Sequence, residues 1–130
     1  MTETLLSACA RLGVHLRPEQ AAQCRDFLTA LLEKNKMMNL TAITDPEAAA
    51  LLHFADSLAL LRYADFENKR VIDVGCGAGF PGVPLKIGAP SIELTLLDSL
   101  QKRIVWLDET LRAMHIPAQC VSARAEEFGH

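Results

Sequence analysis

Between Val71 and Gly82 an apolar strand pattern runs into glycines at alternate positions, Gly75, Gly77 and Gly79, with an acid, Asp73, two residues upstream. Few local patterns restrict a fold so strongly. Glycine tolerates positive φ and lets the backbone approach a ligand, and a helix starting just after such a turn offers unpaired N–H groups to an anion. The stretch predicts the strand, turn and helix of a nucleotide-cofactor site in an α/β fold.

A second strand pattern, Ile92 to Leu97, ends in Asp98, 23 positions after Gly75. In a βαβ unit that acid lies beside the first turn, where a carboxylate accepts hydrogen bonds from ribose hydroxyls. An adenosyl ligand is expected. The dinucleotide fingerprint needs a further glycine at position 80, so that the following helix packs closely and the turn holds a pyrophosphate. That position is Phe80. Asp73 also directs negative charge toward the pocket, which suits a ligand with cationic groups better than a diphosphate. S-adenosyl-L-methionine fits, because it carries an ammonium and a sulfonium next to a carboxylate that a helix N-terminus can receive.

The rest of the chain alternates helices and strands in an orderly way. Leu5, Leu6, Cys9, Ala10 and Leu12 predict a short helix ending at Gly13, and Pro18 opens a longer one with Cys24, Phe27, Leu28, Leu31 and Leu32 inward. Asp45-Pro46-Glu47 is a helix start, with Asp45 as N-cap, and that helix carries Leu51, Phe54, Leu58 and Leu61 to about Arg62. Strands at 70–74, 92–97 and 118–122 then enclose helices from about Pro81 to Ile87 and from Leu100, capped by Ser99, to about His115. In the last helix Leu100, Ile104, Leu107, Leu111 and Met114 form the apolar stripe. Right-handed crossovers make the sheet parallel. A helical segment over 1–67, packed on the sheet, and a cofactor-binding segment over 68–130 are expected.

Composition narrows the class. Half of the 130 residues are hydrophobic, and no apolar run is long enough to span a membrane. With Thr2-Glu3-Thr4 at the start instead of a basic leader, a cytoplasmic protein is expected. The cysteines at 9, 24, 76 and 120 form no C-x-x-C pair, so they read as small buried groups and no metal site is expected. A net charge of −3 does not announce a nucleic-acid binder, and the basic pairs Lys34 with Lys36 and Lys102 with Arg103 read as solvated helix faces. Phe27 and Trp106 read as packing, Asp108 and Glu109 as solvated. His53 reads as a hydrogen-bonded helix residue near the sheet, and Asn39 as closing a turn.

The motifs Asn39-Leu40-Thr41, His53-Phe54-Ala55-Asp56-Ser57, Ile72 to Leu85 with its Pro81-Gly82-Val83-Pro84 extension, Leu96-Leu97-Asp98-Ser99, Lys102-Arg103 and Ser122 to Phe128 resemble the bacterial 16S ribosomal RNA guanine-N7 methyltransferases, the glucose-inhibited division protein B family. The resemblance implies N-terminal helices followed by the first βαβαβ half of a class I, Rossmann-like S-adenosylmethionine-dependent methyltransferase. It implies methylation of one guanine of the small-subunit RNA, guanine 527. Carried over by motif, Gly75, Gly77 and Phe80 contact the cofactor in the turn, Asp98 holds the ribose, and Ala125 with Glu126 flank the adenine. Asp73 faces the methionine ammonium by the charge argument. Guanine N7 has a free lone pair and no proton, so no general base or catalytic residue is assigned. A class I sheet has seven strands and this chain supplies three, so a C-terminally shortened enzyme is expected, with weakened cofactor binding, doubtful turnover and self-association through the open edge of the first strand. A class I methyltransferase for another substrate, or a non-catalytic cofactor-binding fragment, are the competing readings. An NAD-dependent oxidoreductase is disfavoured by Phe80.

Overall fold

A computed structural model describes residues 1–124. Three strands, β1 (Arg70–Val74), β2 (Glu93–Asp98) and β3 (Gln119–Ser122), form a parallel sheet in the order β1-β2-β3. Parallel neighbours need crossovers, and these are α5 (Gly82–Gly88) between β1 and β2 and α6 (Gln101–Ala113) between β2 and β3. Ahead of the sheet come α1 (Thr2–Arg11), α2 (Pro18–Asn35) and a helical stretch over 46–62. Their apolar faces and the sheet share one buried cluster that includes Leu5, Phe27, Phe54, Leu58, Val83, Leu96 and Leu107.

The local start signals act as chain chemistry requires. Asp45 Oδ2 accepts the Ala48 N–H at 2.9 Å, with Pro46 behind it at the first helical position. Buried Gln20 ties two helices together: Oε1 accepts the Arg17 N–H at 2.8 Å, and Nε2 donates to the Ile87 carbonyl at 3.0 Å. This bond fixes the far end of α5 against the start of α2. The turn after α2 is closed by Asn35, whose Oδ1 accepts from Leu40 N and Thr41 N at 2.9 and 3.0 Å. Asn39, expected to close it, is exposed.

Several other expectations need correction. The stretch over 46–62 is one continuous rod of changing pitch: α3 (Pro46–Ala49), a π-helical segment (Ala50–Ala55), α4 (Asp56–Leu58) and a 3₁₀ turn (Ala59–Arg62). A π turn bonds i to i+5, so the 3.6-residue spacing drawn through Leu51 fails there. Leu51 is 42% exposed, while Ala50, Phe54 and Ala55 face the core. Ser99 does not cap α6. The Asp98 carboxylate takes the Leu100 N–H instead (2.9 Å), holding Leu100 extended at the cap position, where it is 41% exposed and outside the apolar stripe. Cys120 is only half-buried, unlike the other cysteines.

The helices cover one face of the sheet. Gly82 sits against Leu94, Leu96 and Asp73, so these side chains point toward α5. The alternate residues of β1, Ile72 and Val74, are 51% and 57% exposed, so their side of β1 is bare among the described residues.

Candidate functional site

The glycine turn stands at the carboxyl ends of β1 and β2, the end at which open parallel sheets bind ligands. It is fastened to β2: Gly75 N and Cys76 N both donate to the Leu97 carbonyl, at 2.8 and 3.0 Å. Gly75 and Gly77 have φ of 70° and 56°, and a Cβ built on either would meet nothing within 4 Å. Their open sides form a cradle that side chains would fill. Beside Gly75, a cavity of about 220 Å³ is lined by Val74, Leu97, Asp98, Ser99, Ala123 and Arg124.

The close-packing role that a dinucleotide turn gives to its third glycine falls here to Gly82, two residues after Phe80. A Cβ on Gly82 would lie 2.7 Å from Leu96 Cδ2 and 2.9 Å from Asp73 Oδ2. The missing side chain lets the Gly82 N–H reach Asp73 Oδ2 at 3.0 Å. This alters the expected anion site at the start of α5. Gly82 N–H is engaged by Asp73, Val83 N–H by the Gly79 carbonyl at 2.8 Å, and Pro84 has none to offer. The first turn of α5 is therefore closed to a carboxylate.

The surroundings push the Asp73 and Asp98 carboxyls in opposite directions. Burial pushes the Asp73 carboxyl above its usual range, the Gly82 N–H draws it partly back, and the nearby Asp98 charge adds to the rise. Among the described residues its Oδ1 has no partner, and it is not a buried orphan. A solvent-reachable carboxylate oxygen is thus left for an incoming cation. Asp98 is only 5% exposed. Burial pushes it upward, but N–H groups from Leu100 and Gly77 and the Arg103 guanidinium outweigh burial and hold its carboxyl below the usual range. Oδ2 accepts from Gly77 N at 2.9 Å and from Arg103 Nη1 at 3.3 Å. Cys76, between the two acids, has its thiol pushed up to about 12 by burial and by Asp73 and Asp98. It is a spacer in the turn and no nucleophile.

The Phe80 ring packs among side chains of the N-terminal helices. His53 stacks on it with centroids 4.4 Å apart and planes 8° from parallel, Phe54 meets it edge-on at 5.1 Å, and Phe27 at 6.0 Å. The Phe80–Pro81 peptide is cis. Phe27 continues the contact to Trp106 at 5.7 Å, so both are packing residues as expected. His53 Nε2 lies 2.9 Å from Thr41 Oγ1, and the Ser57 hydroxyl donates to the His53 carbonyl. His53 is therefore the hydrogen-bonded helix residue foreseen, and burial lowers its pKa.

The structure brings Asp73, Gly75, Gly77 and Asp98 together around one turn and places the Phe80 backbone at its exit. Ala125 and Glu126 lie outside the described residues. Gly82 and Arg103 went unread in the sequence. Gly82 was visible only as part of a Pro-Gly-Val-Pro run, and Arg103, taken as solvated, is the ion-pair partner of Asp98. Among the described residues no cluster of three or more His, Cys, Asp or Glu could hold a metal ion, and no helix is long and apolar enough to cross a membrane.

Parallel strands, same-face crossover helices and a glycine turn between two strand-end acids define the first half of a Rossmann-like methyltransferase fold. A family model described as rRNA small subunit methyltransferase G matches residues 20–130. Curated relatives carry the name Ribosomal RNA small subunit methyltransferase G. That of Desulfitobacterium hafniense is 44% identical over 119 residues, covering 91% of this chain and 49% of the relative. That of Alkaliphilus metalliredigens is 44% identical over 127 residues, with 96% and 53% covered. The protein from Oenococcus oeni reaches 50% over 107 residues, with 80% and 44% covered. The chain belongs to the rRNA small subunit methyltransferase G family, as its motifs implied. It spans about half the length of the curated relatives it matches.

Proposed function

We propose that this chain forms the cofactor-binding half of an S-adenosylmethionine-dependent methyltransferase acting on guanine N7 of 16S ribosomal RNA, at guanine 527, in the cytoplasm. The observation that carries the cofactor assignment is Asp73. Its Oδ1 has no partner among the described residues, Asp73 lies two positions ahead of the glycine turn, and a partly desolvated acid there favours a cationic group over a pyrophosphate. Membership of the family supports the RNA.

In this reading Asp73 Oδ1 receives the methionine ammonium, and the main chain at Gly75, Gly77 and Phe80 lines the cofactor. The Phe80 ring serves as a wedge that fixes the turn against the helices. Asp98 meets the ribose, and Ala125 with Glu126 the adenine. The bound cofactor supplies an electrophilic methyl group. Guanine N7 needs no deprotonation, so the residues contribute by orienting and desolvating, which for well-held reactants is worth about 7–11 kcal/mol.

The test is a calorimetric titration with S-adenosylhomocysteine and, separately, NAD. S-adenosylhomocysteine is expected to bind and NAD not. Asp73→Asn is expected to weaken the former about 10- to 100-fold, because a hydrogen bond to a charged group contributes about 1.5–3 kcal/mol. Tighter binding of NAD, or equal binding by the variant, would sink the assignment.

A further inference from the structure

Two basic residues that lie far apart in the chain converge on one groove. Lys34, in the last turn of α2, and Lys102, in the first turn of α6, line a cavity of about 340 Å³ together with Met38, Val105, Trp106 and Glu109. The other basic groups nearby are neutralised: Lys36 pairs with Glu33 at 3.4 Å and Arg103 with Asp98 at 3.3 Å. Neither Lys34 nor Lys102 has an ion-pair or hydrogen-bond partner among the described residues. In a chain of net charge −3, a groove that sets two ammonium groups without ion-pair partners against one carboxylate, Glu109, is a local exception.

The groove is also rigidly tied to the cofactor turn. Trp106 on its wall packs on Phe27, and Phe27 on Phe80, through centroid distances of 5.7 and 6.0 Å. Lys102 stands four positions past Asp98, at the carboxyl edge of the sheet. A strand lying in the groove would be held at a fixed distance from the turn.

We propose that this groove binds the sugar-phosphate backbone of the RNA substrate. Lys34 and Lys102 each face a phosphate, and exposed Val105 with half-buried Met38 supports a ribose or base face. Lysine suits the task because its compact, strongly hydrated charge neutralises phosphate without demanding bidentate geometry. Glu109 opposes the field and limits affinity, leaving sequence choice to contacts made elsewhere. The inference rests on ribosomal RNA as substrate and adds where the strand lies.

The experiment measures binding of a fluorescein-labelled, single-stranded, guanine-containing RNA of roughly 12 nucleotides, within the range one binding groove covers. The full chain is used, saturated with S-adenosylhomocysteine, across a salt series. Each phosphate contact on a single strand contributes about 0.7 to the slope of log affinity against log salt. The double variant Lys34→Ala with Lys102→Ala is therefore expected to flatten that slope by about 1.4 and to weaken binding roughly 25-fold near 0.1 M salt. Glu109→Gln is expected to tighten binding, a gain that misfolding cannot mimic. The control, Lys69→Ala with Arg70→Ala, removes the same charge at the amino end of β1 and is expected to change little. Equal losses in both double variants, or no tightening by Glu109→Gln, would overturn the groove. No salt-sensitive binding by the unaltered chain would overturn the RNA reading itself, whereas the cofactor titration would still stand.

Discussion

Replacing Gly82 by alanine sets two opposed effects against each other, and the structure decides between them. Alanine is the better helix former, by up to about 1 kcal/mol in a helix interior, but Gly82 is the first residue of α5, where that advantage is smaller. Against it, the new Cβ would stand 2.7 Å from Leu96 Cδ2, 3.1 Å from Leu94 Cδ1 and 2.9 Å from Asp73 Oδ2. Leu94 and Leu96 are buried and cannot swing away. Overpacking of this kind costs about 1–3 kcal/mol, and lengthening, without breaking, the bond from the Gly82 N–H to the Asp73 carboxylate adds up to about 1 kcal/mol. A net destabilisation of about 2 kcal/mol is expected, close to an 8 °C fall in Tm for a chain of this size. Urea unfolding followed by the fluorescence of Trp106, the single tryptophan, reads this directly. Leu96→Val should relieve the clash, so the double variant should be more stable than the sum of the single effects implies. A Gly82→Ala protein as stable as the unaltered chain, or strict additivity with Leu96→Val, would refute the reasoning.

Other expected outcomes follow from the acids, the histidine and the open strand. Asp73 has a folded-state pKa above its unfolded value, so its stabilising contribution is complete only in acid and is lost as pH rises through the folded pKa. Asp73→Asn should therefore raise the unfolding midpoint at about pH 7 and lose that advantage at about pH 3, while cofactor affinity falls. His53 is the converse case: its pKa lies below the usual 6.5, so its contribution is present above 6.5 and fades as pH falls through the folded pKa. Thermal melts should show His53→Asn losing less stability than the unaltered chain between about pH 7.5 and 5.5. The edge of β1, unpaired among the described residues and flanked by exposed Ile72 and Val74, is expected to drive concentration-dependent association of this chain. Light scattering should show a mass that rises with concentration and is suppressed by Ile72→Lys; a clean monomer at every concentration counts against it.

The elements that were legible in the sequence are those whose causes are local. Asp45-Pro46 and Pro18 start helices through their own side chains and rings, and strand alternation with glycine punctuation located β1, β2 and the turn to within a residue or two. The π segment escaped because no local residue pattern marks a wider turn, and its side chains His53 and Phe54 pack on Phe80, 27 and 26 positions away. Leu51 was misplaced for the same reason. Aspartate and serine cap helices about equally well, so adjacent Asp98 and Ser99 could not be told apart locally, and only the folded turn shows that the acid reaches Leu100, Gly77 and Arg103 together. Gly82 looked like part of a family signature, but its neighbours on β2 give the physical reason for a glycine there.

Asp98 already holds hydrogen bonds from Gly77 N–H, Leu100 N–H and Arg103. A carboxylate offers about four acceptor sites, so three donors leave one for a ribose hydroxyl. The three bonds hold the carboxylate in one orientation before a ligand arrives, so little ordering cost falls on binding. A deoxy analogue would leave that last site without a partner, and the acid would then contribute to discrimination as well as to affinity.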